Sequence, residues 1–105
     1  MVRIFTVLLI TIAFCTGARA QEEGSAQAGL AYARAVCSEC HAIRGDDFLS
    51  PSPKAPPFAK IAVTPGMTGA ALNVILQTSH RDMPDLIIPT KDRADVMAYI
   101  LGLQK

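Results

Sequence analysis

Apolar residues along this chain recur at helical spacing. Between Ala26 and Cys40 they return every three or four residues, which predicts a helix. Thr68 is placed to cap a second helix that runs from Gly69 to about Thr78, and Thr90 to cap a third over Lys91–Leu103. No segment alternates convincingly with period two, so we predict an all-α fold.

Irregular, proline-rich segments separate these helices. Arg44–Pro57 contains four prolines and two adjacent aspartates, which predicts a long loop, and Ser79–Pro89 is interrupted by Pro84 and Pro89. Phe58–Val63 is long enough for one helical turn between the loops. In the last helix, Val96, Ile100 and Leu103 make one apolar face. Asp92 and Asp95 precede that face, near the positive end of the helix dipole.

The first twenty residues have the layout of an export signal. Arg3 precedes an apolar stretch from Ile4 to Cys15, and Ala18-Arg19-Ala20 is a small-x-small cleavage pattern. The stretch is about 12 residues long, whereas a membrane-spanning helix needs about 20. We therefore predict a signal peptide over 1–20, a disordered polar linker over 21–25 and one domain over 26–105. A leader retained as a membrane anchor is the alternative.

Removing the leader changes the charge and the cysteine count. The whole chain has a formal net charge of +1 and three cysteines, an awkward number for a disulfide scaffold. Residues 21–105 carry eight Lys and Arg against nine Asp and Glu, which gives −1, and they retain two cysteines. This balance argues against a dedicated nucleic-acid binder. A domain of about 85 residues has little core of its own and often recruits a cofactor or cross-link.

The chemistry of the domain is concentrated in Cys37-Ser38-Glu39-Cys40-His41. Two thiols three residues apart lie on one side of a helical turn, where both can add to the vinyl groups of one haem. The next residue, His41, then supplies its imidazole to the iron. A C-x-x-C-H motif behind an export signal predicts covalently attached haem c.

Two other interpretations of the cysteine pair are weaker. A thioredoxin-like dithiol belongs beside a βαβ pattern, and no strand is predicted near this motif. A zinc site would combine Cys37, Cys40, His41 and His80, but adjacent residues such as Cys40 and His41 coordinate one ion only with strain.

An electron-transfer haem needs a second axial ligand. The candidates are Met67, Met83, Met97 and His80. We predict Met83, because it lies in an irregular loop and the following Pro84 keeps it out of helical geometry. Met97 is expected to fill the core of the last helix. A thioether on the iron and an apolar shell both favour the reduced state. We expect that shell from one set of residues: Val36, Ile43, Phe58, Leu72, Ile75 and Ile100.

With these motifs in place, the chain resembles the small class I c-type cytochromes that bacteria export. The resemblance covers about residues 26–103. It implies the cytochrome c fold, in which three to four helices with long loops wrap around one covalent haem. The C-S-E-C-H segment is similar to the family's haem attachment site, and Met83-Pro84 to its distal ligand motif.

The resemblance also implies roles for residues outside these two motifs. Pro56 would accept a hydrogen bond from His41 through its carbonyl, with Pro57 as the alternative, and Phe58 would pack against the haem. Gly29 and Tyr32 resemble the positions at which the family's first helix crosses the last one. Their partner positions in the last helix are Val96, Tyr99 and Ile100. No clear set of haem-propionate donors is present; Arg44 and Arg81 are the candidates.

The function that follows is one-electron transfer between Fe(III) and Fe(II), in a periplasmic redox chain and without enzymatic activity. We expect a monomer without a strong membrane anchor, which exchanges electrons with protein partners that the sequence does not identify. The net charge of −1 predicts no strong electrostatic steering to a positively or a negatively charged partner.

The alternatives are a haem subunit docked on a periplasmic dehydrogenase or oxidase, and a weak peroxidase if Met83 does not bind. A lasting subunit should expose an apolar patch, for which Ile87, Ile88 and Pro89 are the candidates; these residues could instead pack under the haem loop.

Overall fold

The described part of the chain is helical. The computed structural model describes residues 24–78, 83 and 87–104, and within them there is no β-strand. The four α-helices are α1 (Ala26–Ala35), α2 (Phe58–Ala62), α3 (Gly69–Gln77) and α4 (Thr90–Gly102), and a 3-10 turn spans Cys37–Glu39. The prediction of an all-α domain is confirmed. None of the described helices is long and apolar enough to cross a membrane.

Helix α4 is the centre of the fold. Within the described residues, the backbones of α1, α2 and α3 each approach α4 more closely than they approach one another. Val96 and Ile100, one turn apart on α4, are fully buried, as is Leu72 of α3. The buried core cluster is completed by residues from α1, α2 and the segment after the 3-10 turn: Ala33, Ile43, Phe58 and Ala62.

Small residues allow α1 to cross α4 closely. Gly29 and Ala33 are the buried residues of α1. A Cβ on Gly29 would overlap the carbonyl oxygen of Asp95 and lie 2.9 Å from the Cβ of Tyr99. Only glycine permits the main chains to approach in this way. The contact joins the first helix to the last, with Gly29 on one side and Asp95 and Tyr99 on the other.

The first helix is shorter than its apolar spacing predicts. We predict a helix that continues to Cys40, but α1 ends at Ala35, and Val36 takes a non-helical conformation. The Ser38 hydroxyl binds the carbonyl of Arg34 at 2.6 Å. This side chain occupies a carbonyl that a continuing helix would pair with a main-chain amide. The two cysteines therefore lie on a tight turn after α1 rather than on the helix itself.

The other helix ends agree with the sequence except at α4. The Thr68 hydroxyl accepts the amide of Ala71 at 3.1 Å, which confirms the predicted cap of α3. The prediction that Thr90 caps α4 is wrong, because Thr90 is the first helical residue and Pro89 occupies the cap position. The ring of Pro89 holds its backbone at φ −53°, which suits a helix start without a side-chain cap.

Candidate functional site

The cysteine motif forms one closed turn at the end of α1. The amides of Cys40 and His41 both donate to the carbonyl of Cys37, at 3.2 and 3.0 Å. Neither Cys37 nor Cys40 is in a disulfide bond. Their thiols and the His41 imidazole thus come from five consecutive residues of one turn.

The two thiols differ in environment. Cys37 is half-buried against the core cluster, and this burial raises the pKa of its thiol to about 11. Cys40 is exposed at the surface. At neutral pH, Cys37 is therefore held as the neutral thiol, which is the less reactive form.

The His41 ring is oriented by a main-chain carbonyl. Its Nδ1 lies 2.7 Å from the carbonyl oxygen of Pro56. The carbonyl of Pro57, the alternative acceptor at the sequence level, instead pairs with the amides of Lys60 and Ile61 at the start of α2. Because a carbonyl can only accept, Nδ1 is assigned the proton, and Nε2 keeps a lone pair.

Beyond the bonds of the closed turn itself, four hydrogen bonds among the described residues hold the main chain around His41. The Cys40 carbonyl accepts the amide of Ser52 at 3.1 Å, and the Ala42 carbonyl accepts the amide of Phe58 at 2.9 Å. The Ala42 amide donates to the Ser50 hydroxyl at 3.0 Å. The Ile43 carbonyl accepts the Tyr99 hydroxyl at 2.6 Å. Three of these four partners belong to the proline-rich loop and the residue that follows it.

An aromatic row connects His41 to α4. The ring centroids of His41 and Phe58 are 5.4 Å apart, and those of Phe58 and Tyr99 are 6.4 Å apart, with tilted ring planes in both pairs. Phe58 is almost fully buried between them. Burial also raises the pKa of the Tyr99 hydroxyl, which keeps it protonated as a donor to Ile43.

The candidate distal ligands differ in how far they are described. Met83 is partly buried in a bend between α3 and α4. Met67 and Met97 are both packed against the core cluster, as expected for Met97. His80, Pro84 and the propionate candidate Arg81 lie outside the described residues.

The structure also describes the propionate candidate Arg44 and the candidate apolar patch before α4. Arg44, the other propionate candidate, pairs with Asp46 at 3.2 Å in an exposed ion pair. Of the candidate apolar patch, Ile88 is buried, whereas Ile87 is 92% exposed and Pro89 is exposed as well. Other large exposed apolar side chains are Phe48, Leu49, Val63 and Val74.

Asp95, which the sequence pattern places near the start of the last helix, lies in α4 and is buried. Its carboxylate accepts the Ser25 amide at 2.8 Å and Lys91 Nζ at 2.7 Å. Ser25, the last residue of the predicted polar linker, also caps α1 by accepting the amide of Ala28. Only the (i, i+4) spacing of Lys91 and Asp95 signals any part of this in the sequence.

Ser50 is the other residue that the sequence does not indicate, because a serine in a proline-rich loop carries no distinctive signal.

Among the described residues, no group of three or more His, Cys, Asp or Glu side chains is arranged to hold a metal ion. No protein-family model, curated protein or solved structure matches the chain.

Proposed function

We propose that this protein is a one-electron carrier that holds one haem c covalently through Cys37 and Cys40. His41 and Met83 are the axial ligands, and the fold is that of a class I cytochrome c. The observation that carries the proposal is the 2.7 Å hydrogen bond from His41 to the Pro56 carbonyl, made by the residue that directly follows the C-x-x-C turn. A histidine that ligates a metal usually donates its other ring nitrogen in this way.

The chemistry of the donor set fits a haem. With its proton on Nδ1, His41 has the lone pair of Nε2 free for iron, and the carbonyl partner increases the basicity of the ring. The thiols of Cys37 and Cys40 are unpaired. Thioether formation needs no oxidant: each sulfur bonds to one carbon of a vinyl group, and the thiol hydrogen passes to the other carbon.

The packing of the helices supports a bulky apolar group. The largest fully buried side chains are Leu72, Ile100 and Val96, which make a small core for a domain of this length. Around them, several apolar side chains are only partly buried: Leu30, Ile61, Met67, Leu76, Met97, Leu101 and Leu103. These partly buried side chains are apolar surface that a flat apolar cofactor could cover.

Each residue then has a defined task. The haem supplies an Fe(III)/Fe(II) couple that needs no bond making. His41 would bind the iron through Nε2, Met83 would supply a second ligand that excludes dioxygen or peroxide, and Phe58 packs beside the imidazole. A thioether ligand and low-polarity surroundings both disfavour the extra positive charge of the ferric form, which raises the potential.

Covalent attachment is the decisive test. After extraction with acidified organic solvent, the haem should stay with the protein, and the alkaline pyridine complex should show the spectrum of two thioether links. Cys37→Ala and Cys40→Ala should each shift this spectrum to that of one link, and the double variant should lose the haem to the organic phase. Cys15→Ala in the leader is the matched control and should behave as wild type. Free haem extracted from the wild-type protein would refute the proposal.

The proposed location is the periplasm, reached by cleavage after Ala20. The mass of the protein recovered from the exported fraction checks this, since a retained leader would leave residues 1–20 attached. The protein partners are redox proteins, and the predicted carrier is a monomer.

One observation favours a second role, as a haem subunit docked on a periplasmic dehydrogenase or oxidase. Ile87 is 92% exposed beside buried Ile88, so a large apolar side chain faces solvent just before α4. Size fractionation of a native extract distinguishes the two roles. A carrier should travel alone, whereas a subunit should travel with its enzyme and lose this association in Ile87→Ser. Peroxidase activity would follow only if Met83 leaves the distal side open.

A further inference from the structure

The side chain of Ser50, in the proline-rich loop, contacts the main chain next to His41. Its hydroxyl accepts the Ala42 amide at 3.0 Å. Two further hydrogen bonds to this segment come from the main-chain amides of Ser52 and of Phe58, the residue that follows the loop, and any residue other than proline could supply such an amide.

The Ala42 amide belongs to the peptide unit that joins His41 to Ala42. Because that unit is planar, fixing the direction of its N–H also fixes the rotation about the bond from the His41 Cα to its carbonyl carbon. Ala42 is 3% exposed, so water has little access to replace the Ser50 hydroxyl. The Ser50 contact thereby fixes the orientation of the His41 backbone and, with it, the orientation of the His41 side chain.

The same loop holds His41 a second time, through the ring. Six residues after Ser50, the Pro56 carbonyl accepts Nδ1 at 2.7 Å. We propose that Ser50 is a positioning residue for His41, which keeps Nδ1 aligned with the Pro56 carbonyl by orienting the peptide that follows the histidine. The proposal rests on the proposed function insofar as the His41 ring binds iron.

Removal of the hydroxyl has a predictable direction. Ser50→Ala leaves a buried amide without its acceptor, and the peptide turns to relieve this cost. The bond from Nδ1 to the Pro56 carbonyl then lengthens, the imidazole becomes a weaker donor to iron, and the ferric state loses stabilisation. The midpoint potential should therefore rise.

Three variants of the full, haem-loaded protein separate positioning from general loosening of the loop. Ser50→Ala removes the acceptor, and Ser50→Thr keeps an oxygen at the same position. Ser52→Ala is the matched control, since Ser52 contacts Cys40 through its main-chain amide alone. The measurements are the midpoint potential and hydrogen exchange, by NMR, of the Ala42 amide and the His41 Nδ1–H.

In Ser50→Ala, both protons should exchange at least about tenfold faster and the potential should rise. Ser50→Thr and Ser52→Ala should keep both exchange rates and the potential of the wild type. Wild-type exchange rates or potential in Ser50→Ala, or failure of Ser50→Thr to restore them, would overturn the proposal.

If the protein is found without covalent haem, the proposed function is refuted, but the positioning role of Ser50 can still be tested. In that case the ¹⁵N shifts of the His41 ring report which nitrogen carries the proton. Ser50→Ala should then reduce the Nδ1–H tautomer while Ser50→Thr retains it. An unchanged tautomer in Ser50→Ala would refute the positioning role by itself.

Discussion

The carboxylate of Asp95 in α4 accepts a hydrogen bond at 2.8 Å from the main-chain amide of Ser25, the residue that caps α1. The other carboxylate oxygen of Asp95 accepts a second hydrogen bond, from Lys91 Nζ at 2.7 Å. The two helices at the ends of the domain are thus fastened at the point where α1 begins. This contact is independent of any cofactor, so it can be tested on stability alone.

We expect Asp95 to make the stability of the fold dependent on acidic pH. The Lys91 side-chain hydrogen bond, followed by the Ser25 amide, lowers the pKa of the Asp95 carboxyl below its ordinary value. Because the folded pKa is lowered, the contribution is present above the unfolded value of about 4 and is lost as pH falls through the folded pKa. Asp95→Asn should lower the melting temperature at neutral pH.

The control for this prediction is Asp92→Asn, in the first turn of the same helix. It should change the melting temperature less at neutral pH, since the Asp92 carboxylate contributes chiefly to the helix dipole. The gap between Asp95→Asn and wild type should close as the pH falls well below 4. A gap of constant size down to that pH would contradict the assigned ionisation.

The close crossing of α1 and α4 predicts that Gly29→Ala is destabilising. The added methyl would meet the Asp95 carbonyl and the Cβ of Tyr99, and helix backbones yield poorly to such overlap. We expect a loss of about 1–3 kcal/mol in the free energy of unfolding, measured with denaturant. In the control Gly102→Ala, the methyl finds nothing within 4 Å, and the change should stay within about 0.5 kcal/mol. Equal effects of both substitutions would contradict the crossing.

Tyr99→Phe isolates the hydrogen bond that α4 makes to the histidine segment. The Phe58 ring contact remains, whereas the 2.6 Å bond to the Ile43 carbonyl is lost. The cost should be about 1 kcal/mol in unfolding free energy. Tyr32→Phe is the matched control, because the described residues include no hydrogen-bond partner for its hydroxyl.

The two tyrosine variants should also differ from wild type at alkaline pH. Burial raises the pKa of Tyr99, so its contribution is present below the unfolded value of about 10 and is lost as pH rises through the folded pKa. Tyr32 also has a raised pKa, chiefly from burial, so each single variant should remove part of the alkaline loss. An alkaline profile unchanged in Tyr99→Phe would contradict its assignment as a protonated donor.

Met83→Ala tests the distal ligand. It should abolish the weak sulfur-to-iron absorption band of the oxidised protein and lower the midpoint potential, since an apolar thioether ligand favours the ferrous state. Met97→Leu is the control. Met97 packs against the core, and a swap of similar volume should cost less than about 1.5 kcal/mol and leave the band in place. An unchanged band in Met83→Ala would move the ligand to another methionine such as Met67, because an imidazole ligand such as His80 gives no sulfur-to-iron band.

Helical spacing in the sequence was sufficient to predict the all-α class and the approximate positions of α3 and α4, because each of these helices buries a periodic apolar stripe. The position of α2 was predicted only from the length of Phe58–Val63 between two loops. The spacing overextended α1 by including Cys37 and Cys40. Periodicity cannot distinguish a continuing helix from a tight turn. The geometry of this turn depends on the Ser38 hydroxyl, which binds a carbonyl that a continuing helix would pair with a main-chain amide. The prediction of the α4 cap was wrong for a similar local reason: Pro89, with its fixed backbone, occupies the N-cap position that we predict for Thr90.

The sequence by itself determined the reactive set, since C-x-x-C-H brings two thiols and an imidazole together through chain connectivity. Only the tertiary structure decided how that set is held. The Pro56 carbonyl rather than that of Pro57 reaches His41, Ser50 and Tyr99 fix the peptides after it, and Asp95 fastens Ser25 to α4. These contacts join residues from 8 to 70 positions apart. Hydrogen bonds of that kind form only once the core has packed, and they leave no periodic signal in the sequence.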